Sequence, residues 1–448
     1  MTAVLPRPEQ GPGAQPAAEP PSASRWGLPS AAAVAVGRLA GSLSRRTGRG
    51  RGSTLPGRVA LRLQPELLRR LAAGRTLVLV SGTNGKSTTS RYLAAALSTR
   101  GRVLTNEAGS NMRGGLATTL MSARSPAVPV VLETDEQVLA TSVGELAPRV
   151  VVLLNLTRDQ LDRTGEVTGH VRAWAAALRQ VPRAVVVANA DDPLVCAAVL
   201  AARPDGADVR WVAAGQPWRR DCPLCPVCGA AWSGGEQEWA CGQCGFARPH
   251  PAWRLVDDRL QAPAAPGVRL QLALPGRANL ANAAMALAAA WELGTPLEAA
   301  SAAVQTVSEI GGRYRTHDHE GRTVRLLLAK NPAGWAEVLT QLTDGDEELV
   351  VAVNARGADG ADTSWLWDVP FEPLRGRAVV AAGEHSADVS LRLLYAGITH
   401  TREPDPLCAL RHLPGRSVTV VANYTAFAEV RDRLGARDPG PGRLRRAA

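Results

Sequence analysis

Lysine is almost absent from this chain of 448 residues: of 51 basic side chains only Lys86 and Lys330 are lysines, and the other 49 are arginines. A background that turns any replaceable lysine into arginine leaves survivors where a planar guanidinium cannot do the work of a compact ammonium, for instance against a phosphate. Long apolar runs are also missing. No stretch of about 18 apolar residues occurs, which excludes a membrane-spanning helix, and the Pro-rich start does not read as a signal peptide. With no mark of secretion, the seven cysteines are not expected to form disulfides. Acidic residues are scarce at one end only. Residues 1–75 carry twelve Arg against three Glu, a net +9 of the chain's +10, so the remainder is near neutral. Such a segment suits an anionic membrane surface, a nucleic acid or a merely solvated arm.

Lys86 lies in Ser81-Gly82-Thr83-Asn84-Gly85-Lys86-Ser87-Thr88, after an apolar run (Thr76 to Val80) and before a helical pattern (Arg91 to Leu97). Strand, glycine loop and helix in that order make a nucleotide-binding loop. Backbone N–H groups curl around phosphate oxygens, the helix N-terminus adds its positive end, the lysine reaches the terminal phosphates and the Ser87 hydroxyl can ligate Mg²⁺. The spacing departs from the Walker pattern, because Val80 stands five residues before Gly85 where that pattern has glycine.

Met1 to Ser24 is rich in Pro, Ala, Gly and Ser and is expected to be disordered. A helical patch follows at Trp26 to Leu43, then an Arg/Gly stretch at Arg45 to Gly52. From about Leu55, apolar strands alternate with Ala/Leu-rich helical segments: Leu77 to Val80, Val103 to Thr105, Val128 to Glu133, Val150 to Asn155 and Ala184 to Asn189. A second set comprises Val324 to Leu328, Leu349 to Asn354, Ala378 to Ala382 and Val418 to Asn423. Both predict mostly parallel sheets wrapped by helices, an α/β class.

Four further constellations stand out. Glu133 ends an apolar strand in Glu133-Thr-Asp135-Glu136, and Asn155-Leu-Thr-Arg158-Asp159-Gln160-Leu-Asp162-Arg163 ends the next; the carboxyl ends of such strands face the ligand crevice, where Glu133 can hold a metal, although acidic clusters also serve as helix caps. Cys225-Pro-Val-Cys228-Gly and Cys241-Gly-Gln-Cys244-Gly are two knuckles separated by twelve residues, the spacing of a closed four-cysteine zinc ribbon. Cys222 makes an overlapping CxxC and competes as a ligand, while Cys196 and Cys408 sit in apolar helical surroundings and read as packing residues. Asn279 and Asn282 share one face of an Ala-rich helix, where they either cap it or read an adenine edge. Asp359-Gly-Ala-Asp362-Thr-Ser-Trp365-Leu-Trp367-Asp368 follows a strand of the second set, and its aromatics mark an interface or cover the sheet.

In this order, from about Arg45 to Phe427, these elements resemble the Mur ligase family. Gly82 to Thr88, Asp159-Gln-Leu-Asp162-Arg163, Asn189-Ala-Asp-Asp-Pro193, Asn279 with Asn282, and Gly312-Arg313 carry that likeness. Thr105-Asn-Glu-Ala-Gly-Ser-Asn111, the inserted ribbon, Ala329-Lys330-Asn331-Pro332, the Asp362 loop and Asn423-Tyr-Thr425 narrow it to the MurT branch. The resemblance implies a Mur ligase-type central P-loop ATPase domain (45–315) with the ribbon inserted at about 218–250, preceded by a basic arm (1–44) and followed by a Rossmann-like α/β domain (316–448).

It also implies a chemistry: ATP phosphorylates the α-carboxyl of D-glutamate in the lipid II stem peptide, and ammonia from a GatD-type glutaminase subunit converts the acyl phosphate to D-isoglutamine. By position, Gly82, Thr83, Asn84, Gly85, Lys86, Ser87 and Thr88 hold ATP with Asn279, Asn282 and Arg313. Ser87 and Glu133 serve Mg²⁺, Cys225, Cys228, Cys241 and Cys244 hold Zn²⁺, and Lys330 approaches the reacting groups. Asp362 completes a Cys-His-Asp triad on the glutaminase. The expected setting is the cytoplasm, with peripheral contact at the inner face of the membrane where lipid II sits, and without nucleic acid. Gln160 and Ala278 stand where many family members have histidine, and no lysine between Lys86 and Lys330 is available for carbamylation. A conventional ligase joining an amino acid, as in cell-wall or folylpolyglutamate synthesis, shares the ATPase motifs but needs neither the ribbon nor the Asp362 loop. A zinc-ribbon nucleic-acid-binding NTPase is the other alternative, weakened by the few arginines and aromatics at the knuckles.

Overall fold

The structure, a computed structural model, describes residues 28–46 and 53–437 apart from 107–108, 124, 158–166, 220, 236, 264, 275, 309–313 and 343–347. The chain enters through three helices, α1 (Leu28–Arg46), α2 (Leu55–Leu63) and α3 (Leu67–Ala72). Strands β1 (Leu77–Ser81), β2 (Leu104–Thr105), β3 (Val130–Glu133), β4 (Val150–Leu153), β5 (Val185–Asn189) and β6 (Val209–Ala213) then alternate with helices, including α4 (Lys86–Ser98), α5 (Arg113–Ser122) and α6 (Glu136–Leu146). They form one parallel sheet with β1 at its centre, between β3 and β4.

Buried on both faces, these strands read as unbroken Val/Leu runs, the expected mark of a covered parallel sheet. After β6 comes a short hairpin, β7 (Trp232–Ser233) with β8 (Ala240–Cys241), and then three strands the sequence did not announce: β9 (Trp253–Val256), β10 (Arg259–Ala262) and β11 (Ala265–Arg269). β9 joins β6 in parallel, and β10 and β11 extend the sheet antiparallel to nine strands. Their alternating burial and polar residues carry no apolar run, which is why they were illegible.

A second, six-stranded sheet comprises β12 (Tyr314–His319), β13 (Arg322–Leu328), β14 (Glu348–Ala352), β15 (Val379–Ala382), β16 (His400–Arg402) and β17 (Ser417–Ala422), in the order β12-β13-β17-β14-β15-β16. All neighbours are parallel except the β12–β13 hairpin. Each sheet carries an apolar cluster on either face. Leu79 and Trp174 belong to one layer of the first sheet, Val80 and Trp253 to the other; Trp335 and Phe371 cover one face of the second, Phe427 and Leu410 the opposite one. Two sheets, each with its own pair of apolar layers, separate a central unit from a C-terminal unit, and the phosphate loop lies at the carboxyl end of β1 where they meet. Among the described residues no helix is long and apolar enough to cross a membrane.

Candidate active site

The phosphate loop is held from three sides. Gly82 and Gly85 have φ of +147° and +84°, and a Cβ at Gly85 would stand 2.4 Å from Asn282 Oδ1, so glycine is required there by conformation and by space. α4 starts directly at Lys86 with no side-chain cap, which leaves its first N–H groups directed at the loop. On the β4 side, Asn155 Oδ1 accepts the Asn84 N–H at 2.8 Å, Asn155 Nδ2 donates to the Asn84 carbonyl at 3.1 Å, and the Asn155 carbonyl accepts from Thr83 N–H at 3.0 Å. The Thr157 N–H donates to Thr83 Oγ1 at 3.1 Å. Of the motif that begins at Asn155, the residues visible here brace the loop; Asp159, Gln160, Asp162 and Arg163, like Arg313, lie outside the described residues.

Lys86 is buried. Its ammonium donates to the carbonyls of Gly82 and, at 3.3 Å, Thr83, and pairs with Glu136 Oε2 at 3.1 Å. Glu136, in the first turn of α6, is a site residue that sequence reasoning passed over although it sits three positions after Glu133. Burial pushes its carboxyl up, but Lys86 and, next, Lys330 outweigh burial and hold it below its ordinary value. Asp135 is raised, by burial first and then by Glu136, with Lys86 and Lys330 opposing. Both lysines of the chain therefore act on one pair of carboxylates.

Glu133 is buried beside the loop. Ser87 Oγ donates to its Oε2 at 2.7 Å and Asn111 Nδ2 to its Oε1 at 3.4 Å. The Asn106 side chain grips the backbone of Glu133 on both sides, accepting its N–H and donating to its carbonyl, each at 2.8 Å. Asn106 and Asn111 thus set the position of this carboxylate. A hydroxyl and a carboxylate converging beside a phosphate loop are hard oxygen donors suited to Mg²⁺.

A cavity of about 660 Å³ opens from the loop between the two units, lined among others by Asn84, Asn279, Asn282, Trp218, Lys330 and Glu337. The helix Arg277–Glu292 brings Asn279 and the buried Asn282 to its wall, as their three-residue spacing predicts. From the C-terminal unit, Glu337 Oε1 accepts the N–H of Ala278 at 3.1 Å, and the Asn331 and Asn84 amides bond reciprocally at 3.1 and 3.3 Å. Lys330 is carried to the cavity by its position between β13 and the helix Pro332–Leu342.

Asn189-Ala-Asp191-Asp192-Pro193 forms the opposite wall. Burial pushes the Asp192 carboxyl up to about 7 against the N–H bonds it accepts from Leu156, Leu194 and Val195, so it caps a helix and ties it to the end of β4. Asp191 accepts from the N–H groups of Ala214 and Gln216 and pairs with Arg248 Nη2 at 2.5 Å.

Arg248 belongs to the cysteine ribbon. The sulfurs of Cys225, Cys228, Cys241 and Cys244 all lie within 4.8 Å of one another, with contacts of 3.4 Å (Cys228–Cys241) and 3.7 Å (Cys225–Cys244). Tetrahedral thiolates on a metal at zinc's bond length would stand about 3.8 Å apart. Gly229 and Gly245 complete the knuckles with φ of +76° and +73°. In the second knuckle the Cys244 N–H bonds to the Cys241 sulfur, which lowers that thiol to about 6. Cys222 is not a member. Its Sγ donates to the Leu224 carbonyl at 3.2 Å, burial pushes its thiol up, and it packs with Trp218 and Trp239. Trp218, Trp232 and Trp239 stack edge to face at 5.0–6.0 Å as the ribbon's own apolar core, which spends on packing the rings a nucleic acid would need for stacking. Cys196 is fully buried, with its thiol pushed up by burial, in keeping with a packing role.

Two carboxylates of the Asp359 loop, Asp359 and Asp362, separate. Asp359 is buried and caps the helix Tyr424–Arg437, accepting from the N–H groups of Tyr424 (2.9 Å) and Thr425 (2.8 Å) and from the Thr425 hydroxyl. Asp362 is exposed and does not line the cavity. Its carboxyl is held below the ordinary range by the Ser364 N–H and then by the Ser364 hydroxyl, both at 2.8 Å. Of the tryptophans, Trp365 covers the sheet against Trp335, whereas Trp367 is 52 % exposed and stacks on Tyr395, itself 72 % exposed.

Residues 80–215 match the Mur ligase middle domain and residues 328–427 the MurT ligase C-terminal domain. The chain is 31 % identical over 417 residues, covering 87 % of this chain and 93 % of the other, to the lipid II isoglutaminyl synthase (glutamine-hydrolysing) subunit MurT of Streptococcus pneumoniae. It is 29 % identical to the subunit of the same name from Staphylococcus aureus, covering 82 % and 88 %. In fold it is similar to a pseudomurein peptide ligase type C from Methanothermus fervidus (TM-score 0.65, 17 % identity, 83 % and 81 % covered) and to MurF from Acinetobacter baumannii (TM-score 0.64, 18 % identity, 85 % and 80 % covered). Neither the amino-acid ligase nor the nucleic-acid NTPase is favoured by these likenesses. A buried lysine on a glycine loop, a second lysine delivered by a C-terminal unit and near full-length similarity to such subunits lead to one conclusion: the chain belongs to the MurT family of Mur ligases and is an ATP-dependent carbon–nitrogen ligase.

Proposed function

We propose that the protein amidates the α-carboxyl of D-glutamate in the stem peptide of lipid II, giving D-isoglutamine, with ammonia delivered by a glutaminase subunit of the GatD type. One observation carries this reading: a single C-terminal unit supplies Lys330 and Asn331 to the phosphate loop and presents an exposed, ionised Asp362 away from the cavity. A unit so built can serve two reactions, phosphorylation within this chain and thiol chemistry on a partner.

In the proposed sequence ATP lies in the cavity with its adenine edge at Asn279 and Asn282 and its terminal phosphates over the loop from Gly82 to Thr88. Lys86 exchanges the carbonyls of Gly82 and Thr83 for phosphate oxygens while Glu136 keeps it aimed. Ser87 and Glu133 hold Mg²⁺, which when bound neutralises phosphate charge. The substrate carboxylate attacks the γ-phosphorus, the bond to ADP oxygen breaks, and an acyl phosphate forms. Ammonia then attacks the carbonyl carbon, phosphate leaves and the nitrogen loses a proton. Lys330 stabilises negative charge on the oxygens in both steps. Arg313, outside the described residues, keeps the terminal-phosphate role that its position in the family motif implies. The four clustered cysteines hold Zn²⁺ as a closed structural site.

Asp362 orients the histidine of the partner's thiol nucleophile, and Trp367 with Tyr395 offers an apolar anchor for docking beside it. The chain divides as a basic arm (1–44), an ATPase domain (45–315) and the partner-facing domain (316–448), and it works in the cytoplasm at the inner face of the membrane. The test is to supply the purified protein with ATP, ammonium and a D-glutamate-containing stem peptide, and to locate the new amide by mass spectrometry. Efficient joining of a free amino acid without ammonia would sink the reading.

A further inference from the structure

α1 is packed inside out. Its inward face consists of Ser30, Ala33, Val34, Gly37 and Gly41, and it fits so closely that a Cβ on Gly37 would stand 2.5 Å from the Pro56 carbonyl and one on Gly41 2.5 Å from Pro56 Cγ. Against Val34 inside, three of its larger apolar side chains point outward: Leu39 is 71 % exposed, Leu43 62 % and Val36 45 %. At 100° per residue, Val36, Leu39 and Leu43 fall within one stripe with Ala32 and Ala35. The adjoining α2 exposes Leu63 at 57 %. An ordinary amphipathic helix buries its leucines, so this one keeps its apolar face for something outside the fold.

Charge identifies what that is. Arg45, Arg46, Arg58, Arg62 and Arg69 are all exposed on the three entry helices, while Arg38 and Arg70 anchor α1 through the Met121 carbonyl and Ser30 Oγ. Glu66 is the sole acidic residue between Leu28 and Thr76. Arg46 falls on the apolar stripe and the adjoining helices add exposed arginines, a combination that fits the headgroup boundary of an anionic bilayer, where leucines enter the acyl region and guanidinium groups meet lipid phosphates.

We propose that α1 seats this enzyme on an anionic membrane surface. The seat is joined rigidly to the site. α2 packs on α5 so tightly that a Cβ on Gly57 would overlap the Gly114 carbonyl, and the Gly57 N–H donates to Thr118 Oγ1 at 2.9 Å. α5 begins two residues after Asn111, which reaches Glu133. A bilayer under α1 therefore fixes the orientation in which a membrane-borne substrate meets the Glu133 end of the active site. This rests on the proposed lipid-linked substrate and adds the element that brings the enzyme to it.

The test uses the full chain with vesicles of phosphatidylcholine, with and without phosphatidylglycerol, separated by sedimentation. Wild-type protein should sediment with the anionic vesicles. Leu39→Glu and Arg46→Glu should each weaken partitioning by about fivefold or more. Neither should change the thermal midpoint or the amidation of a lipid-free stem peptide, while amidation of substrate embedded in vesicles should fall in parallel with binding. Wild-type protein that stays in solution, or variants that sediment like it, would overturn the proposal. So would retention of duplex DNA or RNA in place of vesicles, lost in Arg46→Glu. Failure to amidate the lipid-free peptide would count against the reaction and leave the vesicle result standing.

Discussion

Asn84 and Asn331 exchange hydrogen bonds across the boundary between the central and C-terminal units, amide to amide, at 3.1 and 3.3 Å. The first belongs to the phosphate loop and the second follows Lys330 directly, so this pair fixes the distance at which Lys330 meets the loop. Asn84→Ala leaves intact the backbone bonds to Asn155 that shape the loop. Losing both bonds to Asn331, with the Asn84 Nδ2 bond to Thr157 Oγ1, should lower turnover about tenfold, with a change in stability of about 1–3 kcal/mol. Steady-state ADP release and urea unfolding measure the two; equal turnover would show that the units meet without it.

Lys330→Arg tests whether an ammonium is needed there. A guanidinium is longer, planar and differently hydrated, and should reduce amidation about tenfold with little effect on folding. Undiminished amidation would assign the rarity of lysine at this position to chance.

Glu136→Gln should destabilise the fold by about 3 kcal/mol near neutral pH, because it leaves the buried Lys86 without its counter-charge. The sign of the pH effect follows from the lowered acid. In the wild type the folded-state pKa lies below 4.5, so this stabilisation is complete above that value and is lost as pH falls through the folded pKa. Denaturant unfolding at several acidic pH values should show a shallower decline for Glu136→Gln; parallel curves would argue against the pair.

Asp362→Asn should lower glutamine hydrolysis by the assembled complex at least a hundredfold, as expected when a triad carboxylate no longer orients its histidine. Amidation with added ammonium should persist, since Asp362 does not line the cavity at the phosphate loop. Equal loss of both activities would place the loop in the ligase reaction instead.

Cys241→Ser should abolish metal binding, measured as zinc content, and lower the thermal midpoint. Because Arg248 joins the ribbon to Asp191 and Trp218 lines the cavity proposed to hold ATP, KM for ATP should also rise, by about threefold if one charge-assisted bond is loosened. Arg248→Ala should reproduce the KM effect with zinc retained. Normal KM in both variants would confine the ribbon to a stabilising role.

Local pattern made part of this legible. The loop at Gly82 to Ser87 was readable because strand, glycines and helix are consecutive and their chemistry is short-range. The ribbon was readable because metal geometry fixes cysteine spacing. Glu136 and Asn331 were not, since each owes its role to a side chain that another element delivers. The sorting of Asp359 from Asp362 was equally hidden, because the two differ only in whether the helix Tyr424–Arg437 places N–H groups above them.

The sequence by itself determined the α/β class, the phosphate loop, the four-cysteine cluster and the two lysines worth following, all of which depend on residues close along the chain. Only the tertiary structure decided that both lysines act on Glu136 and that Asp362 stays ionised at the surface. It also turned Leu39 and Leu43 of α1 outward. Each of these is a matter of which distant groups share a desolvated space or are kept out of it, and burial and Coulomb interaction act through space, whatever the separation in sequence.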